Sequence, residues 1–213
     1  MPKTTVHAHL MTLHHCELLA QDGGEYRVGL GEFAKNQFDL YRIAREEVDI
    51  LAEESRDMAQ FAVEEHGVGV YLYKAEPPRG VRTTAGVGDR RLLHCTGLGK
   101  SMLSCFPEHR VRETLDRRGM PAETDNTITD PERLLDELES VREQGYAVDE
   151  EEIQPGLQCV AAPVNPDSAS VVGAVSVSGP TGRFKDDRRE TELPELVTSA
   201  ANVIEINARN TRT

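Results

Sequence analysis

The sequence predicts an α+β fold in which helices cover a curved antiparallel sheet, and three observations carry the prediction. The elements run strands, then helices, then strands again, with one closing helix, an order that segregates helices to one face of a sheet. The chain has 213 residues, 38% of them hydrophobic, long enough to bury a core without a metal or disulfide staple. Its four cysteines, Cys16, Cys95, Cys105 and Cys159, are widely spaced and form no C-x-x-C pair.

The first thirty residues read as a helix and a hairpin. Thr5, Val6, Leu10 and Leu13 follow helical spacing, and Asp22-Gly23-Gly24 supplies a turn before the strand Tyr26-Arg27-Val28. From Leu30 to about Glu54 an apolar stripe (Phe33, Phe38, Tyr41, Ala44, Val48, Leu51) predicts a long helix, of the kind that seals a dimer or joins two domains. Strands follow at Ala59 to Glu65 and Val68 to Glu76, joined by His66-Gly67, and at Val81 to Val87 after the Pro77-Pro78 break. Three helices come next: Gly97 to about Cys105, Pro107 to Arg118, and one with Asp130 as N-cap, Pro131 at its first position and Gly145 as its stop. Tyr146 to Glu152, Leu157 to Val164 and Val171 to Ser178 are the remaining strands. Leu193, Leu196, Val197, Ala200, Ala201 and Ile204 place the closing amphipathic helix.

Charge and composition narrow the class. Asp and Glu number 37 against 24 Lys and Arg, a net charge of −13, and only Lys3, Lys35, Lys74, Lys100 and Lys185 among the basic residues are lysines. An acidic, arginine-dominated balance suggests a salt-adapted surface, although acidity is also an ordinary route to solubility. No signal-peptide pattern opens the sequence, and Val171 to Val177 is far short of the ~20 apolar residues needed to span a bilayer. The cysteines therefore read as reduced thiols and the location as cytoplasmic.

Several constellations invite chemistry. Along Val171–Pro180 the side chains alternate, so Ser176 and Ser178 share a face with Val172 and Ala174. Those hydroxyls face either solvent or a pocket, and Cys159 and Asp149 on the preceding strands fit the same alternatives. Thr96-Gly97-Leu98-Gly99-Lys100-Ser101 is not a P-loop, because His94 stands where the motif needs glycine and no strand-forming run leads into it. Its small residues nonetheless open a helix whose free N–H groups and dipole suit a carboxylate. No metal site is expected: His7, His9, His14 and His15 crowd the first helix, but no two are four apart. Cys159, His94 and Asp149 have the residue types of a cysteine hydrolase, a combination found in almost any sequence. Glu150-Glu151-Glu152 reads as a solvated acidic strand end.

The run Arg142-Glu143-Gln144-Gly145-Tyr146-Ala147-Val148-Asp149, then Pro155-Gly156-Leu157-Gln158-Cys159-Val160-Ala161-Ala162-Pro163-Val164, then Ser176-Val177-Ser178-Gly179-Pro180, resembles the effector-binding domain of the IclR family of transcriptional regulators. His94-Cys95-Thr96-Gly97-Leu98-Gly99-Lys100 and Thr124-Asp125-Asn126-Thr127-Ile128-Thr129 resemble two further segments of that family, in the right order. The resemblance implies a GAF-like effector-binding domain at 46–213, a linker helix at 31–45 and a partial winged helix-turn-helix at 1–30. It further implies that Gly97 and Leu98 offer N–H groups to a small organic acid effector, with Asp149, Cys159, Ser176 and Ser178 as the polar wall.

Pro2 to Leu10 is similar to the family's recognition helix, which makes Lys3, Thr4, Thr5, His7 and His9 the candidate contacts to operator DNA. The helices that precede it in the family do not precede it here. Residues 1–30 hold only Lys3 and Arg27 as firm cations against Glu17, Asp22 and Glu25, a weak charge for gripping phosphates. Arg91, in a segment that lacks the family's usual proline, would make the pocket more cationic. The expectation is a ligand-responsive, homodimeric or homotetrameric regulator without cofactor or catalysis, which binds operator DNA when the missing helices are supplied. The alternatives are a stand-alone small-molecule sensor or protein-interaction module, and a cysteine hydrolase.

Overall fold

The structure, a computed structural model, describes residues 2–15, 19–22, 25–28, 39–77, 86–165 and 172–211. The chain divides into two units, Met1–Arg42 and Ile43–Thr213.

In the first unit, helix α1 (Lys3–His15) precedes a ribbon of β1 (Leu19–Asp22) and β2 (Glu25–Val28), paired antiparallel with Leu19 opposite Val28. The expected helix and hairpin are both present. Cys16 and the Gly23-Gly24 turn lie outside the described residues. Helix α2 (Asp39–Ser55) realises the described part of the expected long helix, whose predicted start at 30–38 also lies outside them.

The second unit is built on one curled antiparallel sheet. Its strands are β3 (Met58–Glu65), β4 (Val68–Ala75), β5 (Arg90–Leu92), β6 (Ala147–Glu150), β7 (Leu157–Val164) and β8 (Gly173–Pro180), in the order β5-β4-β3-β8-β7-β6. Between β5 and β6 come α3 (Gly97–Ser104), α4 (Glu108–Arg118) and α5 (Pro131–Gln144), and α6 (Leu193–Thr211) closes the chain. The α5 ends follow the sequence signals closely. Asp130 accepts a hydrogen bond from the Arg133 N–H, Pro131 opens the helix, and Gly145 ends it at φ 85°, in the left-handed region glycine favours.

Alternation along the strands separates two buried layers. Met58, Gln60 and Ala62 of β3 share a face with Ala174, Ser176 and Ser178 of β8, with Cys159 and Ala161 of β7, and with Ala147 and Asp149 of β6. On that side an apolar cluster joins the sheet to α3, α4 and α5 through Leu98, Met102, Leu103, Val111, Leu115, Leu134 and Leu138. The opposite face carries Phe61, Val160, Ala162, Val175 and Val177, all essentially without exposure. Helix α6 covers β7 and β8 from that side.

Three expectations need correction. Val87 lies in a turn with Gly88 and not in a strand, and residues 81–85 of that predicted strand lie outside the described residues. A short strand, β5, does lead toward Gly97, formed by pairing with Val68–Val70 at the sheet edge despite its two arginines. The strand predicted over 146–152 stops at Glu150, because Glu151 takes φ 64° and turns the chain. As a result Glu152 is not solvated: it is 4% exposed.

Candidate functional site

The start of α3 is the local feature that builds the site. Thr96 caps it, its side chain accepting from the Gly99 N–H at 3.0 Å. The N–H groups of Gly97 and Leu98 have no acceptor within the helix, as in any first turn. A Cβ at Gly97 would stand 3.0 Å from Cys159 Sγ, so glycine lets the helix end come down onto β7. All eight residues of α3 are buried, and side chains pin it at several points. Ser101 donates to the Ala161 carbonyl at 2.9 Å, while Arg142 of α5 donates to the Ser104 and Phe106 carbonyls at 2.9 and 3.3 Å, satisfying the helix C-terminus.

Under this helix end lies a cavity of about 80 Å³, lined by Gly97, Leu98, Asp149, Cys159 and Ser178 together with Thr96, Gln60, Tyr71, Arg91, Glu123, Ile153, Gln154 and Leu157. That is space for two or three waters at ~30 Å³ each. The sheet register explains how distant residues meet: Asp149 pairs with Cys159 and Cys159 with Ser178, giving one row across three strands. Ser176, two residues from Ser178 on the same face, is fully buried, is not among the lining residues, and its Oγ has no hydrogen-bond partner. Tyr71 reaches this face through the hairpin register itself, which runs unbroken from Glu65 opposite Val68 to Ala62 opposite Tyr71. The register then shifts between Ala62 and Phe61, and this bulge sets Tyr73 opposite Phe61 on the far side, where its hydroxyl donates to Asp49 of α2 at 2.8 Å.

Burial dominates the electrostatics. Asp149 is 2% exposed, and burial pushes its carboxyl up to about 7 even though it accepts the Glu152 N–H at 2.7 Å. The Cys159 thiol is pushed up to about 12, by burial and then by Asp149, and the Tyr71 phenol rises for the same first cause. Arg91 brings positive charge to the lining and lies 3.7 Å from Asp89. Behind the cavity the 1%-exposed Lys100 of α3 reaches Glu152 at 2.5 Å and Glu137 of α5 at 3.0 Å. Burial works against the Lys100 charge, but these two carboxylates outweigh it and hold the ammonium above its ordinary range. The arrangement ties α3, α5 and the turn after β6 together.

The constellation offers donors at a helix N-terminus, a carboxyl whose proton affinity burial raises, and hydroxyls, all on buried residues. It suits a small anion. It does not suit nucleophilic chemistry, because a thiol at about 12 is inert at neutral pH and His94 is engaged elsewhere, its Nε2 3.1 Å from the Pro121 carbonyl. Lys3, Thr4, His7 and His9 are exposed on α1 and Thr5 is half-buried. Among the described residues no group of three or more His, Cys, Asp or Glu is placed to hold a metal ion, and no helix is long and apolar enough to cross a membrane.

Residues 33–206 match the family model "Bacterial transcriptional regulator IclR C-terminal". The chain belongs to the IclR family. It is 35% identical over 97% of its length, and 82% of the relative's, to a protein of Halobacterium salinarum named "Probable HTH-type transcriptional regulator ArcR". Among solved structures, an IclR transcriptional regulator from Alicyclobacillus acidocaldarius superposes with a TM-score of 0.83 at 28% identity, covering 98% of this chain and 86% of that one. An IclR homologue from Microbacterium hydrocarbonoxydans, complexed with 4-hydroxybenzoate, shares the fold at 24% identity with a TM-score of 0.79, covering 99% and 87%. IclR-family proteins are transcriptional regulators and not enzymes, which removes the hydrolase alternative.

The sequence passed over Gln60 and Tyr71. Gln60 sits in an ordinary-looking strand, and only its pairing opposite Ser176 reveals its place. Tyr71 is likewise placed by the hairpin register opposite Ala62, which spacing alone does not tie to the cavity.

Proposed function

We propose that this IclR-family regulator senses a small organic carboxylate in the cavity under α3 and transmits its presence to operator DNA. The observation that carries the reading is the partly open cleft where unpaired helix N–H groups meet the buried row Asp149, Cys159 and Ser178. The carboxylate accepts from Gly97 and Leu98, Arg91 adds charge complementarity, and Ser178 supplies a hydroxyl to the ligand's flank, with Ser176 buried beside it. A ligand complexed with a structural relative, 4-hydroxybenzoate, is itself an organic acid.

In this reading residues 46–213 form the effector domain, 31–45 the linker, and 1–30 carry the DNA-reading helix, with Lys3, Thr4, Thr5, His7 and His9 toward the duplex. The protein works in the cytoplasm as a homodimer or homotetramer, so that paired helices meet paired half-sites. The test joins two measurements. An acid that raises the melting temperature, as a native-state ligand must, is added to the chain and the DNA upstream of its own coding sequence. The expected result is at least a tenfold change in DNA affinity, lost in Asp149→Ala. An acid that binds tightly and leaves DNA affinity untouched contradicts the regulatory reading.

A further inference from the structure

The cavity wall contains one buried polar side chain, Gln60, with an atom that the protein leaves unpaired, and Ser176 lies beside it outside the wall. Gln60 is 4% exposed and lines the cavity. Its Oε1 accepts from Ser178 Oγ at 3.4 Å, whereas Nε2 has no partner. Ser176 stands directly opposite Gln60 in the β3–β8 register, and its Oγ is unpaired as well. Turning the carboxamide over does not remove the vacancy. A hydroxyl both donates and accepts, so Ser176 would already bond whichever atom occupied that position if it were within reach.

Buried polar groups are nearly always paired, and an unmet one costs the folded state free energy. Nothing in the packing requires a polar side chain here. Met58 and Ala62, two residues to either side on the same face of β3, are apolar and fully buried. Gln60 is therefore the single polar residue on the inner face of that strand's central stretch, and within the protein only its Oε1 is used, by Ser178. Its position gives Nε2 a use. Gly97 sits over β7, which lies two strands from β3, about 10 Å across the sheet. A carboxylate held by the α3 N–H groups leaves the Gln60 amide facing the other end of the same ligand.

We infer that Gln60 is a specificity-determining residue, whose unpaired amide reads an oxygen of the effector beyond its carboxylate. The protein then takes short acids bearing a hydroxyl or carbonyl group and discriminates against plain alkanoates of the same length. The inference rests on the cavity being the effector site. Discrimination arises because an alkanoate leaves the buried amide unmet, a penalty that binding sites built around a hydrogen bond use to reject the analogue lacking it.

The experiment is calorimetry on the full chain with matched acids: acetate against glycolate, propionate against lactate and pyruvate, and butyrate against 3-hydroxybutyrate. The wild type is compared with Gln60→Leu and with Gln60→Met, whose flexible chain fills the space differently. In at least one set the wild type prefers the oxygenated acid by about tenfold or more. Both variants bring that ratio to within about twofold while still unfolding cooperatively, any fall in melting temperature being confined to the loss of the Ser178 hydroxyl's acceptor. A ratio that persists in both variants, or a wild-type preference for the alkanoate, overturns the assignment of Gln60 alone. A wild type that binds none of these acids overturns the cavity reading, and this inference with it.

Discussion

The two faces of the central sheet are equally buried and differ in chemistry at their centres. Behind it, Phe61, Val160, Ala162, Val175 and Val177 pack as an apolar layer, with Gln158 of β7 a buried polar residue toward one end of the same side. In front, the alternate residues of the same strands include Gln60, Asp149, Ser176 and Ser178, two of them with unpaired atoms and one with a carboxyl raised by burial. Strand β8 shows the contrast within one segment, where Val175 and Val177 interleave with Ser176 and Ser178 and all have 5% exposure or less. Folding accounts for the first face. The second is destabilised relative to an apolar equivalent, and such local conflicts mark the places where a chain has kept chemistry for a partner.

The largest effect expected from breaking this comparison lies on the apolar side. Phe61→Ala removes a fully buried ring and should cost about 3–5 kcal/mol in denaturant unfolding. The same variant, where still folded, keeps effector affinity within a factor of about two, since the ring points away from the cavity. If affinity falls together with stability, the two faces are not separable.

A smaller effect sharpens the polar side. The folded pKa of Asp149, about 7, lies above its ordinary value of 3.8, so the native state binds the extra proton between those limits. Stability from this group is therefore full below about pH 4 and is lost as pH rises through 7. Relative to Asp149→Asn, the wild type should lose roughly 2–4 kcal/mol across that window, read by denaturant titrations at several pH values. An anion in the cavity also favours the protonated carboxyl. Effector affinity should then fall about tenfold per pH unit above 7 in the wild type and stay level in Asp149→Asn. Parallel pH profiles for the two proteins would remove Asp149 from the site.

Sequence reading succeeded where the determining chemistry is local. Helix α5 was legible end to end because Asp130, Pro131 and Gly145 each act within one turn of their own position. The front face of β8 was legible as a pair of serines but not as a buried pair, because alternation assigns a common side without saying what covers it. The row Asp149, Cys159 and Ser178 depends on strand register between segments far apart in sequence, which the family resemblance supplied and spacing did not. Glu152 was misplaced for a related reason. One residue, Glu151, leaves the strand conformation, and the next carboxylate swings inward to Lys100.

The central claim is that the unpaired N–H groups of Gly97 and Leu98 grip a carboxylate. The most direct test is to follow their amide resonances in the full chain as the organic acid that most raises its melting temperature is titrated in. Both signals should move and saturate together at the concentration where binding saturates by calorimetry. If the acid binds while these two amides stay in place and signals elsewhere shift, the site lies somewhere other than under α3.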